Sequence, residues 1–301
     1  METCLAVDIG GTKVAAGIVA DDGTLLAHSQ TPTPRGTDAE DLFAVLAALV
    51  GEMTSAGHEL LACGVGCGGP MSKGGEEVSP LNIPAWVDFP LRSRLVELTG
   101  LGVTVDNDAK ALALGEGWVG AASGNRDFMA MVVSTGVGGG IVLDGELLDG
   151  RLGNAGHVGH VIVDPEGRLC PCGARGCLEA EASGSAIGKI TGRPPEEAGP
   201  EMIERTGSLV GIAVASVCSL LDMDLVVVAG SVALGFGAPF FAAAGDELSR
   251  RARLSFDSNA RIEPAGLGSN GPLVGAGALA WRALGMDVLH SSRDRSRSSN
   301  G

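Results

Sequence analysis

His157, His160, Cys170, Cys172 and Cys177 bring five metal-binding side chains into a short stretch of the chain. In CPCGARGC the thiols at 170, 172 and 177 are spaced by Gly173 and Gly176, which let a short loop wrap a small ion. His160, ten residues before the first of these cysteines, is the nearby candidate for a fourth ligand. Three sulfurs and one imidazole suit tetrahedral Zn²⁺ and fill its coordination sphere, so a zinc held this way is structural. The alternative is a set of three free buried thiols. Cys4, Cys63, Cys67 and Cys218 lie in apolar or glycine-rich surroundings and read as small buried residues.

Two turns have the composition of phosphate cradles. DIGGTK at 8–13 places an acid at the end of a strand, then Gly10 and Gly11 for a tight turn, then Thr12 and Lys13. Backbone N–H groups, a hydroxyl and an ammonium would surround a phosphate there, with Asp8 near its Mg²⁺. STGVGGG at 134–140 offers a similar turn around Thr135, Gly136 and Gly138. Each alone reads equally well as a glycine-rich hairpin, but together they describe a phosphate chain clamped from two sides. VDNDAKA at 105–111 puts Asn107 and Asp108 where a strand gives way to a helix, and an Asp at such a boundary is by default an N-cap. Two matches to the dinucleotide pattern GxGxxG fail on context. GVGCGG at 64–69 runs into PMSKGG where a helix ought to begin, and GLGSNG at 266–271 leaves too little chain for a ribose-binding strand. No GxxxxGK followed by Ser or Thr occurs.

The elements that must position these residues alternate. LAVDIGGTKVAAGIV at 5–19 and AMVVSTGVGGGIVL at 130–143 are both a strand, a glycine turn and a strand, each followed by a hairpin signal. A unit repeated in each half implies a duplicated fold with a cleft between the halves. Helices are expected over 38–56, at LRSRLVEL, from about 109 and near 201–221, with strands at 61–66, GVTVDND and DLVVVAG. The expected class is α/β, with a small lobe over 1–107, a large lobe with the cysteine loop over 108–271, a closing helix at 272–285 packing back on the small lobe, and a disordered tail over 288–301.

Composition narrows the partners. The chain has 301 residues and a formal net charge of −15, which argues against a nucleic-acid surface but not against a small phosphorylated ligand. The run TGSLVGIAVASVCSLL at 206–221 is too short and too rich in small residues to span a bilayer, so no membrane partner is expected. METCLAVDIGG has no basic n-region, and a cytoplasmic location is expected, where clustered cysteines favour a metal over disulfides.

DIGGTK, GVGCGGPM, LNIPAW, VDNDAKALALGE, STGVGGG and the cysteine cluster together resemble the ROK family of sugar kinases, from Asp8 to about Ala283. The resemblance implies the actin-like ATPase (ribonuclease H-like) fold, with ATP and Mg²⁺ held by the two glycine units and a hexose or amino-hexose in the cleft beneath. It makes Asp108 the base that accepts the proton of the sugar 6-hydroxyl. Asn107, Gly68, Gly69 and Asn82 would lie against the sugar, and Gly230 of VVVAGSV would make room for the nucleoside. The zinc ligand His160 would also face the sugar, and Glu179 would accept hydrogen bonds from hydroxyls at the anomeric end. A homo-oligomer, dimer or tetramer, is implied. Sugar-binding repressors of the family carry an N-terminal helix-turn-helix domain, whereas here the phosphate motif begins within ten residues of Met1, so an enzyme is expected.

His157 departs from the pattern. ROK glucokinases usually carry Glu three residues before the zinc histidine, where this chain reads HVGH. A carboxylate only accepts, whereas neutral imidazole offers one donor and one acceptor. The pocket is therefore expected to treat sugar hydroxyls differently, leaning to an amino-glucose such as kanosamine. Plain glucose, with His157 a tolerated variation, is the alternative.

Overall fold

The structure, a computed structural model, describes residues 1–290. Its strands are β1 (Thr3–Ile9), β2 (Lys13–Ala20), β3 (Leu25–Pro32), β4 (Leu60–Cys67), β5 (Val103–Asn107), β6 (Phe128–Val133), β7 (Val137–Leu143), β8 (Glu146–Leu147), β9 (Leu225–Ala229) and β10 (Arg261–Pro264). Its helices are α1 (Ala39–Thr54), α2 (Leu91–Thr99), α3 (Asp108–Val119), α4 (Leu178–Ala182), α5 (Gly184–Thr191), α6 (Pro200–Leu221), α7 (Ser231–Phe236), α8 (Ala238–Arg251) and α9 (Gly271–Ala283).

The strands form two five-stranded sheets, ordered β3-β2-β1-β4-β5 and β10-β9-β6-β7-β8. Each is built from the same unit. β1 pairs antiparallel with β2 and parallel with β4, and β6 pairs antiparallel with β7 and parallel with β9. The repeat seen at 5–19 and 130–143 is thus the seed of each sheet.

Alternation along the strands decides which layer each face meets. Leu5, Val7 and Ile9 of β1 pack with Leu42 and Leu46 of α1, while Cys4 and Ala6 join Ala276 and Ala280 of α9. In the second sheet Met129 and Met131 face Val210 and Val214 of α6, while Phe128 and Ala130 turn to the cluster containing Leu112 and Trp118 of α3. Each sheet therefore gives one face to a shared central layer of α3 and α9. α3, expected to open the second lobe, packs against β4 and β5 as well as β6 and β7. Buried Glu116 of α3 accepts hydrogen bonds from the amides of Gly266 and Leu267 (2.9 and 3.0 Å), tying α3 to the segment leading into α9.

Local signals account for most boundaries. Asp38 caps α1 by accepting from the Asp41 amide at 2.8 Å. Among the described residues α6 is the helix long and apolar enough to cross a membrane, and its Val210, Val214 and Cys218 lie in the core beneath α8. The tail expected from 288 starts too early: Val288 and Leu289 are apolar side chains buried against the central layer. The rest of that tail, residues 291–301, lies outside the described residues.

Candidate functional site

The carboxyl ends of the parallel strands converge. Asp8 lies one residue before the end of β1, Gly68 and Gly69 follow β4, and Asn107 closes β5; on the other side Thr135 and Gly136 follow β6 and Gly230 follows β9. All seven line one cavity of about 800 Å³ between the sheets, as open α/β sheets favour at their carboxyl edges. Gly10, Gly11, Thr12, Lys13, Asn82, Asp108, Gly138, His157, His160 and Glu179 line it too.

The first glycine turn is closed by the Gly10 amide donating to the Lys13 carbonyl at 2.9 Å, and the Thr33 hydroxyl donates to the Gly10 carbonyl at 2.6 Å. A side chain at Gly11 would stand 2.8 Å from Asn82 Cβ, so glycine is what lets the Asn82 segment approach. Across the cleft Glu179 Oε2 accepts from the Val137 amide at 2.9 Å, and an added Cβ at Gly136 would meet that same oxygen at 2.7 Å. Glu179 therefore braces the second glycine turn with one oxygen and keeps the other free.

The boundary between β5 and α3 separates two roles that the sequence leaves together. The N-cap is Asn107, whose Oδ1 accepts from the Ala109 amide at 3.0 Å, and Asp108 is the first helical residue. With its oxygen engaged, Asn107 offers the amide nitrogen. That nitrogen lies 3.5 Å from where a Gly69 Cβ would stand, and His157 Cε1 lies 3.7 Å from the same point. Gly69, Asn107 and His157 thus surround one small volume.

Charge is concentrated here. Burial, then the nearby Asp108 charge, pushes the Asp8 carboxyl up to about 7, against the opposing pull of Lys13. Burial also raises Asp108; hydrogen bonds from the Ala109 amide and its own amide work against this, and Glu179 adds to it. His157 is shifted down, first by the protein packed around it and then by His160, with Glu179 opposing.

His160, Cys170, Cys172 and Cys177 place their donor atoms within 4.8 Å of one another. Cys172 Sγ and Cys177 Sγ are 3.7 Å apart, as are Cys170 Sγ and His160 Nδ1. Two Zn–S bonds of about 2.3 Å at a tetrahedral angle separate their sulfurs by about 3.8 Å, so the set fits Zn²⁺ with no vacant position. Using Nδ1 this way leaves His160 Nε2 as the ring nitrogen available to the cavity.

Ser185 and Lys189, four residues apart on α5, also line the cavity and are absent from the sequence expectations. Their i, i+4 spacing puts both on one face of α5, a helix of only eight residues whose pattern is too short to stand out in the sequence.

Two sheets of this duplicated plan around a shared cleft define the actin-like ATPase fold. The ROK family model matches residues 4–283, and the chain belongs to the ROK family. It is 37% identical over 249 residues to an N-acetylmannosamine kinase of Yersinia pseudotuberculosis, covering 77% of this chain and 84% of that one. The structure of a ROK family glucokinase from Streptomyces griseus, in complex with glucose and AMPPNP, matches with a TM-score of 0.83 at 31% identity over 93% of this chain and 99% of that one. A ROK hexokinase from Thermus thermophilus matches with a TM-score of 0.80 at 33% identity over 94% and 99%.

Proposed function

We propose that this protein is an ATP-dependent sugar kinase that transfers the γ-phosphoryl group to the C6 hydroxyl of a glucose-like hexose, with an amino-glucose such as kanosamine favoured. One observation carries the reading: two glycine turns from opposite sheets and the Asp8–Asp108 pair face a single cavity. Phosphoryl transfer asks little covalent chemistry of a protein, only a base on the nucleophile, cation support for the phosphates and donors around developing charge.

Asp108 is the base. Its carboxylate sits at the start of α3 with an elevated pKa, suited to taking the 6-hydroxyl proton as the oxygen attacks. The turns at Gly10–Lys13 and Thr135–Gly138 supply amides and hydroxyls for the phosphate chain, and Gly230 leaves space for the nucleoside. Mg²⁺ bound beside Asp8 would neutralise charge on the β and γ oxygens. Asn107, Gly69, His157, His160 and the free oxygen of Glu179 form the sugar end, with Gly68 and Asn82 along its edge.

His157 sets the leaning toward an amino sugar. Burial disfavours charge on its ring, and a neutral imidazole can accept from an ammonium or donate to a hydroxyl. The identity to N-acetylmannosamine kinase favours a second reading, an N-acetylated hexosamine. Glucose is the third substrate to be tested.

A coupled ATP assay against glucose, mannose, glucosamine, kanosamine, N-acetylglucosamine and N-acetylmannosamine separates these outcomes. Turnover on none of them defeats the kinase assignment. If an amino sugar leads, His157→Glu should shift preference toward glucose. Asp108→Asn should lower kcat by roughly 10²- to 10⁴-fold with sugar affinity held within a few-fold, and normal turnover would remove Asp108 as the base.

A further inference from the structure

Lys110 is a buried ammonium, 1% exposed, that the proposed chemistry does not use. Its three N–H donors meet three acceptors: Asp106 Oδ2 at 2.8 Å, Asp149 Oδ1 at 2.7 Å and the Gly153 carbonyl at 3.4 Å. Such matching is what allows a lysine to stay charged inside a protein. The acceptors come from different parts of the fold. Asp106 belongs to β5 of the first sheet, while Asp149 and Gly153 lie in the segment that follows β8 of the second.

Residues 149–156 form a strap. The Ala155 amide donates to the Asp149 carbonyl at 3.0 Å, closing the loop on itself. Asn154 Nδ2 reaches the Met71 carbonyl at 3.4 Å, bridging to the loop beyond β4. Gly156 is pressed onto Gly139 of β7 too closely for any side chain, and its φ of +97° also favours glycine. His157 comes next. A single segment thus meets Lys110, two residues from Asp108, then Met71, two residues from Gly69, and then enters the cavity at Gly156 and His157.

We propose that Lys110 is a positioning residue whose grip on Asp149 and Gly153 sets His157 against Gly69 and Asn107, and so tunes sugar affinity without touching the sugar. This rests on the kinase reading above, because it is the sugar end of that cleft that the strap shapes. The strap meets the edge of the second glycine turn at Gly139, by way of Gly156, while Lys110, Asp106 and Asp149 line no part of the cavity, so ATP binding should respond to Asp149 less than sugar binding does.

Asp149 is the anchor to change, since its side chain is 64% exposed and Lys110 keeps Asp106 when it is altered. Steady-state kinetics of wild type, Asp149→Asn and Asp149→Glu, with sugar and ATP varied separately, are paired with hydrogen exchange over 149–157. Asp149→Asn should raise the sugar KM on the order of 3- to 10-fold and leave kcat and the ATP KM within about two-fold. Exchange over 149–157 should quicken, and Asp149→Glu should recover most of the sugar KM. An unchanged sugar KM overturns the proposal, as does a parallel loss in kcat and both KM values. If wild type phosphorylates no sugar, the kinase reading fails on its own, and unchanged exchange over 149–157 would still reject the strap.

Discussion

At the residue scale the cleft holds more negative charge than a stable fold would choose. Asp8 and Asp108 are both shifted up, first by burial, with the Asp108 charge adding to the shift at Asp8 and Glu179 adding to that at Asp108. A carboxyl whose folded pKa exceeds its unfolded value keeps a proton in the native state that the unfolded chain has already lost. Stability of the ligand-free protein should therefore fall as pH rises from about 4, the ordinary Asp value, to about 7, where Asp8 titrates when folded. Asp8→Asn removes that titration and should flatten this part of the pH profile, leaving the variant more stable than wild type at pH 8. Urea unfolding across the range reads the difference, and equal slopes in the two proteins would mean that Asp8 ionises normally. Such a cost is expected where carboxylates are placed for a ligand and its cation. The division of labour at the start of α3 has the same origin. The types and order of Asn107 and Asp108 are plain in the sequence, but which one caps the helix depends on backbone angles that no spacing reveals.

At the element scale the legible parts were those with strong local patterns. β1–β2 and β6–β7 announce themselves as apolar strands around glycine turns, and α1, α6 and α9 as long periodic runs. The hairpin signal after β2 implied β3 without marking its extent, since LLAHSQTP alternates between half-buried and exposed positions, and α8 was missed because APFFAAAGDELSRR carries only a weak apolar pattern. The strap was hidden for another reason: Lys110 and Asp149 are 39 residues apart, so only the fold brings them together. The cysteine loop lies between these extremes. Its spacing suggested zinc, and the 3.7 Å sulfur separation adds a geometric argument. Cys170 and Cys177 are buried while Cys172 faces water, and a bound ion would tie the three thiols to His160. Metal analysis should find one zinc per chain. Cys177→Ser should lose it, lower Tm by about 5 °C or more and weaken sugar binding through His160. A metal-free protein with wild-type stability and affinity would show that the four side chains pack without an ion.

At the scale of the whole molecule, the two sheets are held together by the crossing of α3 and α9, and that crossing is paved with glycine. A Cβ at Gly115 would stand 2.9 Å from the Gly275 amide nitrogen, and one at Gly275 would collide with the Ala111 carbonyl. Gly277 is equally crowded by Val19 of β2, at 2.6 Å. Backbones this close leave no side chain free to yield, so even one methyl must push the helices apart. Because α3 carries Asp108 and α9 backs the strand that carries Asp8, separating them moves the two carboxylates relative to each other. Gly275→Ala should destabilise by about 1–3 kcal/mol and reduce kcat, although residue 275 lines no part of the cavity. Gly51 supplies the control. It sits inside α1 with nothing within 4 Å of a built Cβ, so Gly51→Ala should stabilise by about 0.5–1 kcal/mol through helix propensity and leave kinetics unchanged. Chemical denaturation and steady-state rates on the two variants test the pair. Opposite signs in stability, with an activity loss confined to Gly275→Ala, place the coupling between the lobes at the α3–α9 crossing. A neutral Gly275→Ala would mean that the helices can slide apart by a methyl's width, and that the position of Asp108 against Asp8 is set elsewhere.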